Sequence, residues 1–286
     1  MRTRFEWLKG HGTENDFVLL PDPAGDVHGD LSPRLVRALC HRRRGIGADG
    51  VLRVIRSAAY ADQEPLAGQV AGETEWFMDY RNSDGSVSEM CGNGVRVFAR
   101  HLVEEGLADP AEPLPIGTRG GVKVVRFDND GLVVVDMGRG ELQGDVEVAV
   151  GERSWKASRI SMGNPHAVVM VDDLAEAGPL LESPGYDPGD FPDGVNVEFV
   201  REVAARHVAM RVFERGSGET RSCGTGACAA ALAAAVVEGG DRPQLWRVDV
   251  PGGTLYVHWL ENDHVELGGP AVLGVRGDAE PRWLGL

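Results

Sequence analysis

Two stretches of the 286-residue chain carry the same parts in the same order, and this repetition limits the fold more than any single motif does. Cys91-Gly-Asn-Gly94 opens one helical pattern and Cys223-Gly-Thr-Gly226 opens another, with Asn82 and Glu214 lying at the same distance upstream. Further upstream, Gly12-Thr-Glu-Asn15 precedes a Val-Leu-Leu strand and Gly163-Asn-Pro-His166 precedes a Val-Val-Met strand. The spacing agrees once an insertion in the first copy is allowed, and Arg53 to Thr74 is the place for it. The reading is two copies of one α/β unit facing each other, with a cysteine from each meeting in the cleft, because domain interfaces are a usual place for small-molecule sites.

Periodicity gives the elements. After Cys91, the apolar residues Val95, Phe98, Ala99, Leu102 and Val103 form the stripe of an amphipathic helix, which Gly106 is placed to end. After Cys223, Ala227 to Val237 is apolar on every side and closes at Gly239, so this helix must be wrapped by other structure. Strands are expected at 17–20, 121–127, 132–137, 167–171, 196–200, 208–213, 247–250, 254–259 and 265–267. Asp128-Asn-Asp-Gly131 and Pro251-Gly-Gly253 read as hairpin turns, which implies antiparallel pairing. Arg53 to Thr74 shows no hydrophobic period after Ile55 and reads as a mobile surface loop. Leu181 to Asp193, with Pro184, Pro188 and Pro192, can be neither a long helix nor a central strand.

Composition narrows the partners. With 29 Lys and Arg against 44 Asp and Glu, the formal charge of −15 repels nucleic-acid phosphates and anionic lipid, which favours a small-molecule substrate. The longest apolar run is about half of the roughly 20 residues a membrane helix needs, and Met1 to Gly10 lacks the apolar core of a secretion signal. The cysteines Cys40, Cys91, Cys223 and Cys228 include no Cys-x-x-Cys pair, so neither a zinc site nor a disulfide framework is expected. Reduced thiols in a cytosol fit this pattern.

A cysteine followed by Gly-x-Gly at a helix start has a definite chemistry. Unpaired N–H groups and the positive end of the helix dipole stabilise a thiolate and can hold a carboxylate, which glycine lets the backbone approach closely. Two such thiols suit inversion of a carbon acid, where a proton leaves one face and another arrives on the opposite face. One sulfur is then thiolate and the other thiol, because two adjacent thiolates would repel. An α-proton is far less acidic than a thiol of pKa about 8.5, so fixed N–H donors in a dry site must stabilise the carbanion.

In order along the chain stand Lys9-Gly-His-Gly-Thr-Glu-Asn-Asp-Phe-Val18, Arg44-Gly-Ile-Gly-Ala-Asp49, Asn82-Ser-Asp-Gly85, Met90-Cys-Gly-Asn-Gly94, Gly163-Asn-Pro-His166, Asn196-Val197 and the run from Glu214 to Ala227. Together they cover nearly the whole chain, and the set resembles diaminopimelate epimerase. The resemblance implies a pyridoxal-free, cofactor-independent and metal-free isomerase that interconverts LL- and meso-2,6-diaminopimelate for lysine and peptidoglycan synthesis, as a cytoplasmic homodimer. It also implies an α+β fold of two pseudo-symmetric domains, each a curved, largely antiparallel, barrel-like sheet around a central helix, with the active site in the interdomain cleft. The expected domains are 1–130 with a returning strand in 269–286, and 131–268.

Residue by residue, the resemblance makes Cys91 the proton donor and Cys223 the proton acceptor, with His166 and Glu214 tuning the thiols. Gly92, Asn93, Gly224 and Thr225 would hold the reacting carboxylate. Asn15, Asn82, Asn164, Asn196, Glu214 and Arg215 would bind the other polar groups, Arg215 by a forked contact with the distal carboxylate. Taken singly, Asn15 and Asn196 read as turn residues and Glu214-Arg215 as an exposed charge pair; their joint occurrence in motif order makes them binding residues. Cys40 and Cys228 read as core. Three features depart from the family pattern: Gly50 stands where many members carry a substrate-binding Gln, Thr13-Glu14 replaces a commoner Leu-Gly, and the stretch from Ser57 to Glu73 is long. The alternatives are a proline or hydroxyproline racemase, which also pairs cysteines, and a thiol redox protein, which would not need the asparagines.

Overall fold

In the computed structural model, residues 4–284 are described, so the first three and last two residues of the expected first domain lie outside them. The chain divides into two compact units, Met1–Val135 with Pro270–Leu286, and Asp136–Gly269. The division follows Val135 because Val133 and Val135 still pair with Phe127 and Val125.

The first unit contains β1 (Phe5–Gly12), β2 (Asn15–Pro21), α1 (Pro33–Cys40), β3 (Gly50–Arg56), α2 (Ser57–Tyr60), α3 (Pro65–Val70), β4 (Trp76–Asn82), α4 (Gly92–Glu104), β5 (Leu114–Thr118), β6 (Gly121–Phe127) and the start of β7 (Val133–Arg139). The second contains β8 (Glu141–Val150), β9 (Arg153–Ser161), β10 (Pro165–Met170), β11 (Gly185–Tyr186), β12 (Asn196–Ala204), β13 (His207–Glu214), β14 (Gly218–Thr220), α5 (Gly224–Glu238), β15 (Gln244–Val250), β16 (Gly253–Trp259) and β17 (His264–Gly269). The last strand, β18 (Val272–Ala279), pairs with β1 and so belongs to the first unit.

The two ladders have one plan. In the first, β18, β1 and β2 run antiparallel, β3 is parallel to β2, β4 antiparallel to β3, β5 parallel to β4, and β6 and β7 antiparallel again. In the second, β8, β9, β10, β12, β13, β15, β16 and β17 repeat that sequence of directions. The expected duplication is therefore present strand by strand, and the sheets are mixed, with two parallel joins each. Both expected hairpins, β6–β7 and β15–β16, are antiparallel.

Each sheet curves around one helix. α4 touches β1 to β6 and β18, and α5 touches β9, β10, β12, β13, β15, β16 and β17. Alanine at most positions gives α5 a narrow body that strands can approach from every side, and Ala227 to Ala235 are all buried. Val236 and Val237 are 53% and 72% exposed, so the wrapping expected of the whole apolar run stops at Ala235, short of its last two residues.

The stretch expected to be a mobile loop is structured. Tyr60 and Ala67, from α2 and α3, bury against Ile55 and Phe77. Polar anchors do the rest. Asp79, fully buried, accepts from Arg81 Nε at 2.8 Å, Arg119 Nη2 at 2.7 Å and the Tyr60 hydroxyl at 3.1 Å, while Arg119 Nε reaches Glu64 at 2.6 Å. Two short helices carry too few residues for a visible period, and their partners lie on distant strands. Burial works to raise the Asp79 pKa, but Arg119 and Arg81 outweigh it and hold the carboxyl below its ordinary 3.8. Asp79→Asn should cost about 3–5 kcal/mol by leaving Arg81 without its carboxylate and Arg119 with Glu64 alone. The loss, measured by urea unfolding, should be full above the ordinary carboxylate pKa and shrink as pH falls through the lower folded-state value.

Candidate active site

In the first unit Cys91 is the N-cap of α4, its Sγ accepting from Gly94 N–H at 3.5 Å. Asn15 Oδ1 lies 3.6 Å from that sulfur and accepts from Asn93 Nδ2 at 3.2 Å. Asn15 Nδ2 donates to Asp49 Oδ2 at 2.9 Å, and Asp49 also accepts from Asp16 N–H at 3.1 Å and Arg42 Nη2 at 2.6 Å. Arg42 forks onto Asp16 with two bonds of 2.9 Å, and Lys9 pairs with Asp16 at 2.8 Å. Burial favours the neutral acid at Asp16, but the bonds from Arg42 and Lys9 prevail and hold its pKa at about 2. Arg96, buried one turn into α4, steadies the helix start by donating to Asn93 Oδ1 at 2.7 Å and Gly92 O at 3.3 Å.

The second unit builds the same corner with other chemistry. Cys223 is the N-cap of α5; Gly226 N–H donates to its Sγ at 3.4 Å, and Thr225 Oγ1 lies 3.6 Å from the same sulfur. Asn164, on the β9–β10 turn, donates from Nδ2 to Thr225 Oγ1 at 3.3 Å and places Oδ1 3.1 Å from His166 Nε2. His166 Nδ1 is 2.7 Å from Glu198 Oε1, both side chains being fully buried. Glu214 accepts from the Thr220 hydroxyl. Its pKa is raised, by burial first and then by the charge of Glu198, against the Thr220 bond. Burial pushes the Cys223 thiol well up, and the charges of Glu214 and Glu198 push it further.

Asn196, paired with His166 in the β10–β12 register, donates to Pro165 O at 3.3 Å and accepts Arg215 N–H at 2.9 Å. Arg215 is exposed, and among the described residues its guanidinium bonds only to Asp193 O, at 3.1 Å from Nη1. Asn82 stands apart from the cysteine cluster: its Nδ2 donates to Ser86 Oγ at 3.0 Å, although its backbone pairs with Gly50 beside Asp49. Both helix starts follow one rule. The first N–H groups of a helix have no intrahelical acceptor and, with the dipole, favour an anion.

The diaminopimelate epimerase family model matches residues 7–142 and 158–273. The chain belongs to this family. It is 56% identical to a diaminopimelate epimerase of Streptomyces coelicolor over 99% of this chain and 98% of that one. A second, from Thermobifida fusca, is 51% identical over 95% of this chain and 97% of its own length. Among solved structures, a hydroxyproline epimerase from Agrobacterium vitis aligns with TM-score 0.67 and 16% identity over 98% of this chain and 93% of that one. A Bacillus anthracis phenazine biosynthesis protein of the PhzF family aligns with TM-score 0.66 and 16% identity over 98% and 99%. At such identities these two show the fold alone.

The departures from the family pattern have local accounts. A Cβ on Gly50 would sit 2.6 Å from the Tyr80 ring and 2.7 Å from Arg81 O, so Tyr80 fills the space that a side chain at position 50 would need. Thr13 and Glu14 make the two-residue turn between β1 and β2 with φ of 48° and 64°, a left-handed geometry in which glycine would be less strained.

Sequence reasoning missed Glu198, Asp49 and Arg96. The signal for Glu198 was present: a carboxylate inside the apolar run Asn196-Val-Glu-Phe-Val200, on the same strand face as Asn196. Since Glu214 helps raise the Cys223 pKa, Glu214→Gln should lower it. Iodoacetamide should then alkylate Cys223 faster at neutral pH, as read by peptide mass spectrometry; an unchanged rate would show that Glu214 does not help to set the thiol.

Proposed function

We propose that the chain interconverts LL- and meso-2,6-diaminopimelate by a cofactor-independent two-base reaction, with Cys91 as proton donor and Cys223 as proton acceptor. The observation that carries this reading is the duplicated one: in a member of an epimerase family, each unit caps its buried helix with a cysteine at a start suited to a carboxylate. The reacting carboxylate binds at Gly92 and Asn93 and at Gly224 and Thr225, where N–H donors stabilise the charge that develops when the α-proton leaves. Cys223 takes that proton, Cys91 delivers its own to the opposite face, and the roles exchange for the reverse reaction. Asn15, Asn82, Asn164, Asn196 and Glu214 bind the remaining polar groups, and His166 and Glu214 tune the thiols. Arg215 forks onto the distal carboxylate, a group that a proline-type substrate lacks. The working form is a cytoplasmic homodimer, and the sequence-based domains 1–130 with 269–286 and 131–268 act as its two catalytic halves.

Heavy water tests the two-base assignment. The donor thiol exchanges with solvent before substrate binds, whereas the acceptor receives the substrate's own hydrogen. Early product should therefore carry solvent deuterium at the inverted carbon and remaining substrate almost none, measured by mass spectrometry of the separated stereoisomers. Equal labelling of both pools from the start would mean a single exchanging base. Cys91→Ala and Cys223→Ala should each abolish epimerisation. Arg215→Lys keeps the charge but loses the fork, and substrate binding, followed by calorimetry, should weaken by more than about tenfold.

A further inference from the structure

The two units differ most where they should match. By strand register, Phe17 and His166 occupy equivalent positions, opposite Gly50 and Asn196, so Leu52 and Glu198 are equivalent as well. In the first unit Leu52 and Phe17 lie 3.3 and 3.6 Å from where a Cβ on Gly94 would stand, an apolar bed beneath the turn that carries Cys91. In the second, Glu198 Oε1 lies 2.7 Å from the same point on Gly226, beneath the turn that carries Cys223. The fold thus accepts Phe and Leu here. A buried His and Glu in their place, with Glu198 Oε2 lacking any hydrogen-bond partner, demand a reason other than packing.

The asparagines supply it. Asn15 touches Asn93, two residues after Cys91, and Asn164 touches Thr225, two residues after Cys223, but the amides present opposite ends. Asp49 already accepts from Asp16 N–H and Arg42, so it acts as a carboxylate; it takes the Asn15 NH2 and turns the Asn15 carbonyl toward Cys91. On the other side, His166 lies between Glu198 Oε1 and Asn164 Oδ1, both acceptors, which calls for a hydrogen on each ring nitrogen. Among the described residues no lysine or arginine pairs with Glu198, so an imidazolium is also the countercharge its buried carboxylate needs. From His166 the direction of every further link is fixed. Asn164 Oδ1 accepts, Asn164 Nδ2 donates to Thr225 Oγ1, and the Thr225 hydroxyl hydrogen is left for Cys223 Sγ.

The geometry points to Glu198 and His166 as positioning residues: a buried carboxylate–imidazolium pair whose imidazolium, the member that faces Asn164 and is opposite in sign to Asp49, orients the second asparagine in the opposite sense. Cys91 is thereby presented as a hydrogen donor and Cys223 as a hydrogen acceptor. This deepens the two-thiol reading and rests on it.

The test reads His166 directly. In long-range proton–nitrogen spectra of protein labelled with 15N-histidine, at neutral pH, both His166 ring nitrogens should carry hydrogens in the wild type, and Glu198→Gln should leave one of them bare. A bare Nε2 in the wild type would overturn the proposal, and this measurement needs no substitution to decide. The second arm is the double variant His166→Phe/Glu198→Leu, which installs the pair the first unit already uses and identifies the His166 signals by their loss. It should unfold cooperatively and lose about tenfold or more in kcat, the size expected for a hydrogen bond to a charged group. A folded double variant with wild-type kcat would also overturn the proposal. Absence of epimerisation by the wild type would defeat the proposed function while leaving the His166 spectrum readable, so the two failures are distinct.

Discussion

A helix enclosed by a sheet cannot leave its first N–H groups to water, and this constraint organises both units. α4 and α5 are surrounded by strands along most of their length, so what meets their N-termini must come from the chain or from a ligand. The chain offers a cysteine sulfur, at 3.5 Å from Gly94 N and 3.4 Å from Gly226 N, which is a long and weak acceptor compared with a Ser or Asp cap. A stronger cap would satisfy the helix better and leave less for a bound carboxylate. Placing sulfur there also sets the thiol in the field of the dipole, so one choice of residue serves the helix end, the anion and the proton.

Duplication gives this arrangement twice, and the reaction needs the copies to differ. The backbone plan is retained through every strand direction, whereas the side chains around the two caps have diverged: Asn93 against Thr225, and Phe17 with Leu52 against His166 with Glu198. Divergence of the groups that touch the caps is what a shared scaffold with two chemical tasks requires. Arg96 shows how far support extends. Its side chain runs back along α4 to hold Asn93 and Gly92, and Pro270 O receives its Nε at 3.4 Å, tying the returning segment to the helix start.

Much of this was legible in the sequence because it depends on short-range pattern. The cysteine helices, the hairpins at Asp128–Gly131 and Pro251–Gly253, the buried Cys40 and Cys228 and the duplication all follow from spacing and turn chemistry. Less legible were features that depend on partners far along the chain. The stretch from Ser57 to Thr74 reads as a loop because its anchors, Asp79 and Arg119, lie on other elements. Several strands were passed over for related reasons: β3 and β4 carry charged residues, Arg53 and Asp79, whose partners are hidden inside, so their alternation is broken by groups that are buried after all. Glu198 was missed on the same ground, since a lone carboxylate in an apolar run acquires meaning only beside His166.

In the proposed reaction, the acid–base demands explain why a poorly ionised cysteine would serve on the accepting side. An α-hydrogen is a very weak acid, so the sulfur that removes it gains from a high proton affinity, which burial and the charges of Glu214 and Glu198 provide at Cys223. The same forces make the thiolate scarce, and unopposed they would abolish it. Hydrogen bonds from Gly226 N–H and the Thr225 hydroxyl act the other way, favouring the ionised sulfur without reducing its burial. A bound substrate carboxylate would not help, being negative itself, so the donors must come from the protein and be aimed before substrate arrives. That requirement falls on Thr225, and through Asn164 and His166 it reaches the one charged pair in this corner that the other unit does without.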